Sequence, residues 1–261
     1  MSTTAYFGVP SEVPPQARRV AKPWSRLLSA PPVSRVFEPI EFAALPPNTR
    51  RWLQRSVAPC TPLATTVRLT MRGSIRLGRW RSFEATQLLS PSRGYVWAAT
   101  TKVAGLPISG YDRFTDGDGE MRWRIGGIVP VMSAAGFDVS RSAAGRAAAE
   151  CVLVPTSFSG AMWADDGPSE TVATWVYESG EENVRLRLAS DGSLQRLSMQ
   201  RWGNPDGAGY RRHPFGVSVE ETGTFEGVVI PTRLRAGWWF GTDRQDEGEF
   251  FRAEILSAHF C

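Results

Sequence analysis

Lysine and histidine are scarce in this chain, and both shortages narrow what it can do. Lys22 and Lys102 are the only lysines among 30 basic residues, and His213 and His259 are the only histidines. Two histidines so far apart cannot build a multi-histidine metal centre. Cysteine is equally sparse: Cys60, Cys151 and Cys261 stand alone, with no CxxC. An odd, scattered set excludes the disulfide framework of a small secreted protein. No apolar run approaches the ~20 residues that a membrane-spanning helix needs. No charged-then-apolar leader opens the sequence. The expectation is a soluble, cytoplasmic chain.

Chemical signatures are missing as well. There is no GxGxxG between a strand and a helix, no GxxxxGKS/T, no GxSxG and no HExxH. These absences exclude the dinucleotide fingerprint, the phosphate-binding P-loop, the α/β-hydrolase elbow and the zinc-protease helix. The run Asp-Gly-Asp-Gly-Glu at 116–120 lacks the ligand spacing of a calcium loop and reads as a hairpin turn. No cofactor and no metal are expected.

Arginine is abundant, and the net charge is +4 with a pI near 9.2. The arginines alternate with apolar residues along strand-like stretches and do not gather in one patch. Nucleic-acid sites concentrate their charge, so no nucleic-acid partner is expected, and the preference for arginine over lysine fits a GC-rich genome. The other abundance is aromatic: ten Trp and thirteen Phe. Such side chains fill cores and line ligand cavities.

Nine of the nineteen prolines fall within residues 1–47. Proline fixes φ and removes a donor, so this stretch reads as an extended arm with a short helix near Trp24 to Leu28. Its Tyr6, Phe7, Trp24, Phe37 and Phe42 suggest that it packs on the body. Residues 48–261 then form one domain. Asn48 is placed to cap a short helix running through Val57. From Thr65 the period becomes two: Val67, Leu69 and Met71 alternate with Arg68, Thr70 and Arg72. Gly73-Ser74 is expected to turn the chain. Asp116–Gly119 and Asp191-Gly192 mark two more hairpins. One segment departs from this pattern. Residues 140–154 are alanine-rich, with Ala143, Ala147, Cys151 and Val154 at helical spacing, Ser140 as cap and Pro155 as stop. Strands, one helix and further strands predict a mainly β (α+β) fold: a curved antiparallel sheet, or half-barrel, wrapped around the alanine-rich helix.

Four segments carry a resemblance: LPPNTRRWLQRSV at 45–57, RLTMRGSIRLGRWRSFEATQLLS at 68–90, GLPISGYDRFTDGDGEMRWRIGGIVPV at 105–131 and AAAECVLVPTSF at 147–158. In this order they resemble an uncharacterised bacterial family known as a domain of unknown function. That family is similar in architecture to bacterial lipoprotein-carrier half-barrels. The resemblance implies a curved sheet around an apolar cavity plugged by helices. Those carriers work outside the cytoplasm, and no export signal is read here, so a role in small-molecule metabolism is the expectation.

Within such a cup, three groups are candidates for acid–base chemistry. Glu150 sits on the alanine-rich helix beside Cys151, where burial would raise its pKa, unless it pairs at the surface with Arg146. Asp112 shares a strand face with Phe114 and either meets a ligand or pairs with an arginine such as Arg124. His213 follows two arginines in a loop at 203–214 and can shuttle protons. The candidate ligand-binding wall is Tyr95, Trp97, Tyr111, Trp123, Trp175, Tyr177, Trp202 and Trp238, with Trp239 beside them. The favoured reading is a cofactor-free enzyme acting on a hydrophobic small molecule, such as a cyclase or isomerase of natural-product biosynthesis. The alternative is a non-catalytic carrier of an apolar, lipid-like ligand.

Overall fold

A computed structural model describes residues 12–29 and 35–261. Tyr6, Phe7, Pro10, Pro31 and Pro32 lie outside them. The body is one antiparallel sheet of thirteen strands. The first six are β1 (Val67–Leu77), β2 (Arg79–Ser90), β3 (Gly94–Val103), β4 (Leu106–Thr115), β5 (Asp118–Ile125) and β6 (Val129–Ala135). The remaining seven are β7 (Met162–Asp165), β8 (Glu170–Tyr177), β9 (Gly180–Leu188), β10 (Leu194–Gly203), β11 (Arg211–Phe225), β12 (Val228–Trp238) and β13 (Glu249–Phe260). Their spatial order is β6-β5-β4-β3-β2-β1-β13-β12-β11-β10-β9-β8-β7. Two meanders are therefore joined along β1 and β13, with Val67 opposite Phe260 and Ile75 opposite Phe251.

The sheet curls into a half-barrel, and the alternation in each strand decides what it encloses. In β1, Val67, Leu69 and Met71 are buried, while Arg72 is exposed. In β3, Tyr95, Trp97 and Ala99 enter the main core on the concave face, and Val96 and Ala98 enter a second core on the convex face. That second core is closed by a 3-10 turn (Pro15–Val20) and helix α1 (Ala21–Leu28), whose Trp24 and Leu27 cover Leu88, Val96, Ala98 and Tyr111. Helix α2 (Pro47–Ser56) packs near β7, β8 and β12, with Trp52 5.3 Å from Trp163 and Thr49 2.6 Å from Thr171.

Helix α3 (Phe137–Ala149) links the two edge strands and crosses the concave face, touching β3 to β6 on one wing and β9 and β10 on the other. Its small residues permit this close seat: Ala143, Ala144, Ala147 and Ala148 are buried. Gly119 lies directly beneath. A Cβ there would sit 2.6 Å from the Ser140 Cα, and the Gly119 N–H instead donates to Ser140 Oγ at 2.8 Å.

Several local expectations need correction. The helix begins at Phe137, not Ser140, and gives way after Ala149 to a 3-10 turn (Glu150–Leu153). Ser140 is spent on Gly119 and caps nothing. Asn48 lies inside α2, behind Pro46, and its amide donates to the carbonyls of Gly167 and Glu170. Gly73-Ser74 is not a turn. β1 continues to Leu77 because Gly73 admits the backbone of β13, where a Cβ would meet the Arg252 carbonyl at 1.9 Å. The Asp116-Gly117 turn is present, with φ of 55° and 77°.

Candidate ligand cavity

A cavity of about 350 Å³ lies between the concave face and α3. That volume is within the roughly 300–1,000 Å³ of small-molecule pockets. Strand register assembles its polar wall. Gln87 of β2 stands opposite Trp97 of β3, and Trp97 opposite Asp112 of β4. All three point inward because adjacent strands share a face at paired positions. Above this row α3 lowers Arg146, and the 3-10 turn that follows it supplies Glu150, four residues on.

These groups form a closed network. Arg146 Nε donates to Glu150 Oε1 at 2.7 Å and Arg146 Nη1 to Asp112 Oδ2 at 3.4 Å. Trp123 Nε1 donates to Asp112 Oδ1 at 2.9 Å, and Gln87 Nε2 donates to Glu150 Oε2. The Arg146 guanidinium also lies 4.5 Å over the Tyr95 ring and 5.2 Å from that of Trp97. Burial raises the Asp112 carboxyl above its ordinary range, opposed by Arg146 and the Trp123 hydrogen bond. Burial likewise raises the Tyr95 phenol; burial opposes the Arg146 charge, but Glu150, Tyr95 and Asp112 together outweigh it and hold Arg146 above its ordinary value.

The opposite wall is apolar. Met71 and Ile75 of β1, Leu234 and Ala236 of β12, and Phe251 and Ile255 of β13 line it, with Val152 and Leu153 beyond α3. Tyr210 also lines the cavity and is 41% exposed, so the space reaches the surface beside the loop before β11. Arg201 of β10 lines the wing nearest this mouth.

The expected site residues separate into three groups. Tyr95, Trp97, Asp112 and Glu150 line the cavity. Glu150 does form its i,i+4 pair with Arg146, but inside the cup, and Asp112 takes the same arginine in place of Arg124. Trp123, Trp238 and His213 are neighbours of the wall and do not line it. Trp123 packs on Trp97 at 5.7 Å, and Trp238 lies between Phe215 and His213. His213 is corrected from a loop to β11, where it pairs in register with Arg201; burial, aided by Arg211, lowers its pKa.

Tyr111, Trp175, Tyr177 and Trp202 are elsewhere. Tyr111 faces the convex core under α1, because its strand parity is opposite to that of Asp112. Trp175 is packed solid against Gly160, where a Cβ would touch its ring at 2.7 Å. Tyr177 donates to the Pro91 carbonyl at 2.8 Å, and Trp202 donates to Asp138 Oδ1 at 2.9 Å while stacking on Arg141. Trp239 is outside the cavity, under Arg244. Arg146, Gln87 and Arg201 were missed as site residues. Arg201 had a signal: it continues the inward register of Leu197 and Met199, a cation in the apolar phase of a strand.

Among the described residues, no group of three or more His, Cys, Asp or Glu could hold a metal ion. None of the described helices is long and apolar enough to cross a membrane.

A family model described as "Family of unknown function (DUF6544)" matches residues 35–251. No curated protein matches the chain. Among solved structures, a LolA superfamily protein of Nitrosomonas europaea is 11% identical, over 76% of this chain and 86% of its own, with a TM-score of 0.39. A Vibrio parahaemolyticus domain described under outer membrane lipoprotein sorting is 5% identical, over 75% and 85%, with a TM-score of 0.37. A DUF1329 family protein of Desulfovibrio piger is 10% identical, over 82% and 90%, with a TM-score of 0.41. The expected cyclase or isomerase of natural-product biosynthesis is corrected on the geometry of the site. The site gives the physical reason: the three candidate acid–base groups do not converge. Both carboxylates are committed to Arg146, and His213 is off the wall.

Proposed function

The chain belongs to the DUF6544 family, whose function is unknown, so its role must be read from its own geometry, and we propose that it is a non-catalytic binding or carrier protein for a hydrophobic small molecule. One observation carries this reading: a cavity of about 350 Å³ whose far wall is aliphatic and aromatic and whose two carboxylates, Asp112 and Glu150, are already held by Arg146, Trp123 and Gln87. Apolar surface withdrawn from water supplies the affinity, at about 25 cal/mol per Å². A preformed cavity between a rigid sheet and a helix avoids much of the ordering cost of binding. A carrier needs nothing more than this, because it holds and releases without changing covalent bonds.

The test is direct titration with N-phenyl-1-naphthylamine, a neutral apolar fluorophore. One saturable site per chain is expected. Ala236→Trp, which places an indole where a methyl now faces the cavity, should weaken the probe by at least about tenfold while retaining the circular dichroism spectrum. Equal affinity in the two proteins would place the probe outside the cup and end the proposal.

A further inference from the structure

The cavity is not uniformly greasy, and one cation on its wall lacks an anionic partner. Arg201 is only 9% exposed, yet it forms no ion pair among the described residues. Its Nε and Nη2 both donate to a single acceptor, the Ser142 carbonyl, at 3.2 and 3.1 Å. Nη1 makes no hydrogen bond among the described residues. The neighbouring arginines differ. Arg146 holds two carboxylates, and Arg212 is bonded twice to Glu182, at 2.9 and 3.2 Å. The Arg201 guanidinium is also fixed in place, 4.8 Å from the Phe215 ring and 5.1 Å from that of Trp238.

Such a group is expensive to bury. Desolvation pushes Arg201 down to about 10, a measure of how poorly its surroundings compensate the charge. The acids nearby offer it little. The oxygens of Asp112 and Glu150 are occupied by Trp123, Arg146 and Gln87, and those of Glu182 by Arg212. A guanidinium of this kind, on the wall of a cavity that Ile75, Leu234, Phe251 and Ile255 also line, is matched to a molecule that carries both an anionic and an apolar part.

We infer that the ligand is an amphiphile with an anionic oxygen head group, a carboxylate or a phosphate monoester, which accepts hydrogen bonds from Arg201 while its hydrocarbon tail lies against β1, β12 and β13. This rests on the carrier reading and adds the chemical class of what is carried. A charge-assisted hydrogen bond in a desolvated site separates head groups where the tail cannot.

Three ligands with the same ten-carbon tail test it: decanoate, decyl phosphate and 1-decanol, each titrated at neutral pH by displacement of the neutral fluorophore. At least one anion should bind about tenfold or more tighter than the alcohol. The arm that wins distinguishes carboxylate from phosphate. Arg201→Met should reduce that anion to the affinity of decanol and leave decanol within about twofold, which also shows that the variant cup is intact. Arg201→Lys, which retains charge but not the planar fork, should keep part of the preference. Equal binding of all three ligands to the wild type overturns the head-group assignment alone and leaves Arg201 as a distant counter-charge to Asp112 and Glu150. An anion preference that survives Arg201→Met also overturns it. Failure of all three ligands, together with failure of the fluorophore, would remove the carrier reading beneath it.

Discussion

Replacing Arg146 with Met is the most exacting check on the cavity's electrostatics. The guanidinium holds two carboxylates, at 2.7 Å on Glu150 and 3.4 Å on Asp112, and the three side chains are 18, 19 and 14% exposed. Methionine keeps much of the stem's packing and removes the charge. Two carboxylates are then left facing one another in a poorly solvated space. Removing one partner of a buried pair costs about 3–5 kcal/mol, because the remaining charge is uncompensated. For a domain of this size that is a fall in melting temperature of roughly 6–20 °C. The deficit should shrink on acidification, since the pair of carboxylates relieves its repulsion by taking up a proton. It should also shrink in Arg146→Met/Asp112→Asn/Glu150→Gln, which removes the negative charge outright. Urea unfolding at pH 7 and pH 5, followed by tryptophan fluorescence, measures each quantity. A deficit under about 1 kcal/mol, or one equal at both pH values and not relieved in the triple variant, would mean that solvent already screens the site and that the closed network is a poor description.

Two further predictions address other parts of the molecule. Trp24→Ala should lower stability by about 3–5 kcal/mol by emptying the convex core, while fluorophore affinity stays unchanged because the cavity is on the other face of β3. Loss of affinity in step with stability would contradict the two-faced description of that strand. Asp112→Asn reports on linkage. The folded-state carboxyl holds its proton to higher pH than the unfolded one, so its contribution is full below the unfolded value and is lost as pH rises through the folded value. Asparagine escapes that loss. The melting temperature of the variant minus that of the wild type should therefore increase from about pH 4 to pH 7, and a decrease would refute the raised carboxyl.

What could be read in the sequence follows from where alternation survives. β1 to β5 and β8 to β13 bury at least part of one face, and period-two runs such as Val67–Leu69–Met71 announce them. β6 and β7 were not foreseen. Both are edge strands, almost wholly exposed in β6, so no hydrophobic phase marks them. Glycine misled in the other direction: Gly73 suggests a turn but serves the close approach of β13. At the site, strand parity put Asp112 on the same inward face as Phe114, and i,i+4 spacing put Glu150 beside Arg146. The aromatics were the weaker guide. Tyr111 is set apart by parity alone, but Trp175 differs from Trp97 in tertiary surroundings and not in local pattern, so sequence periodicity does not sort wall from core among residues that share the inward phase. The apolar wall came largely from aliphatic residues such as Ile75, Leu234 and Ile255, which carry no distinguishing mark.

The pairing of β1 with β13 bears on how the protein is made. Val67 and Phe260 are neighbours in space but lie at opposite ends of the body, whereas each meander is held by hairpins between adjacent segments. Local hairpins close quickly and distant pairings slowly. On the ribosome the first six strands can assemble while the rest is still being polymerised, with β1 lacking its partner and one flank of its backbone unsatisfied. The cavity between the sheet and α3 is therefore incomplete until β13 has emerged and joined the two meanders.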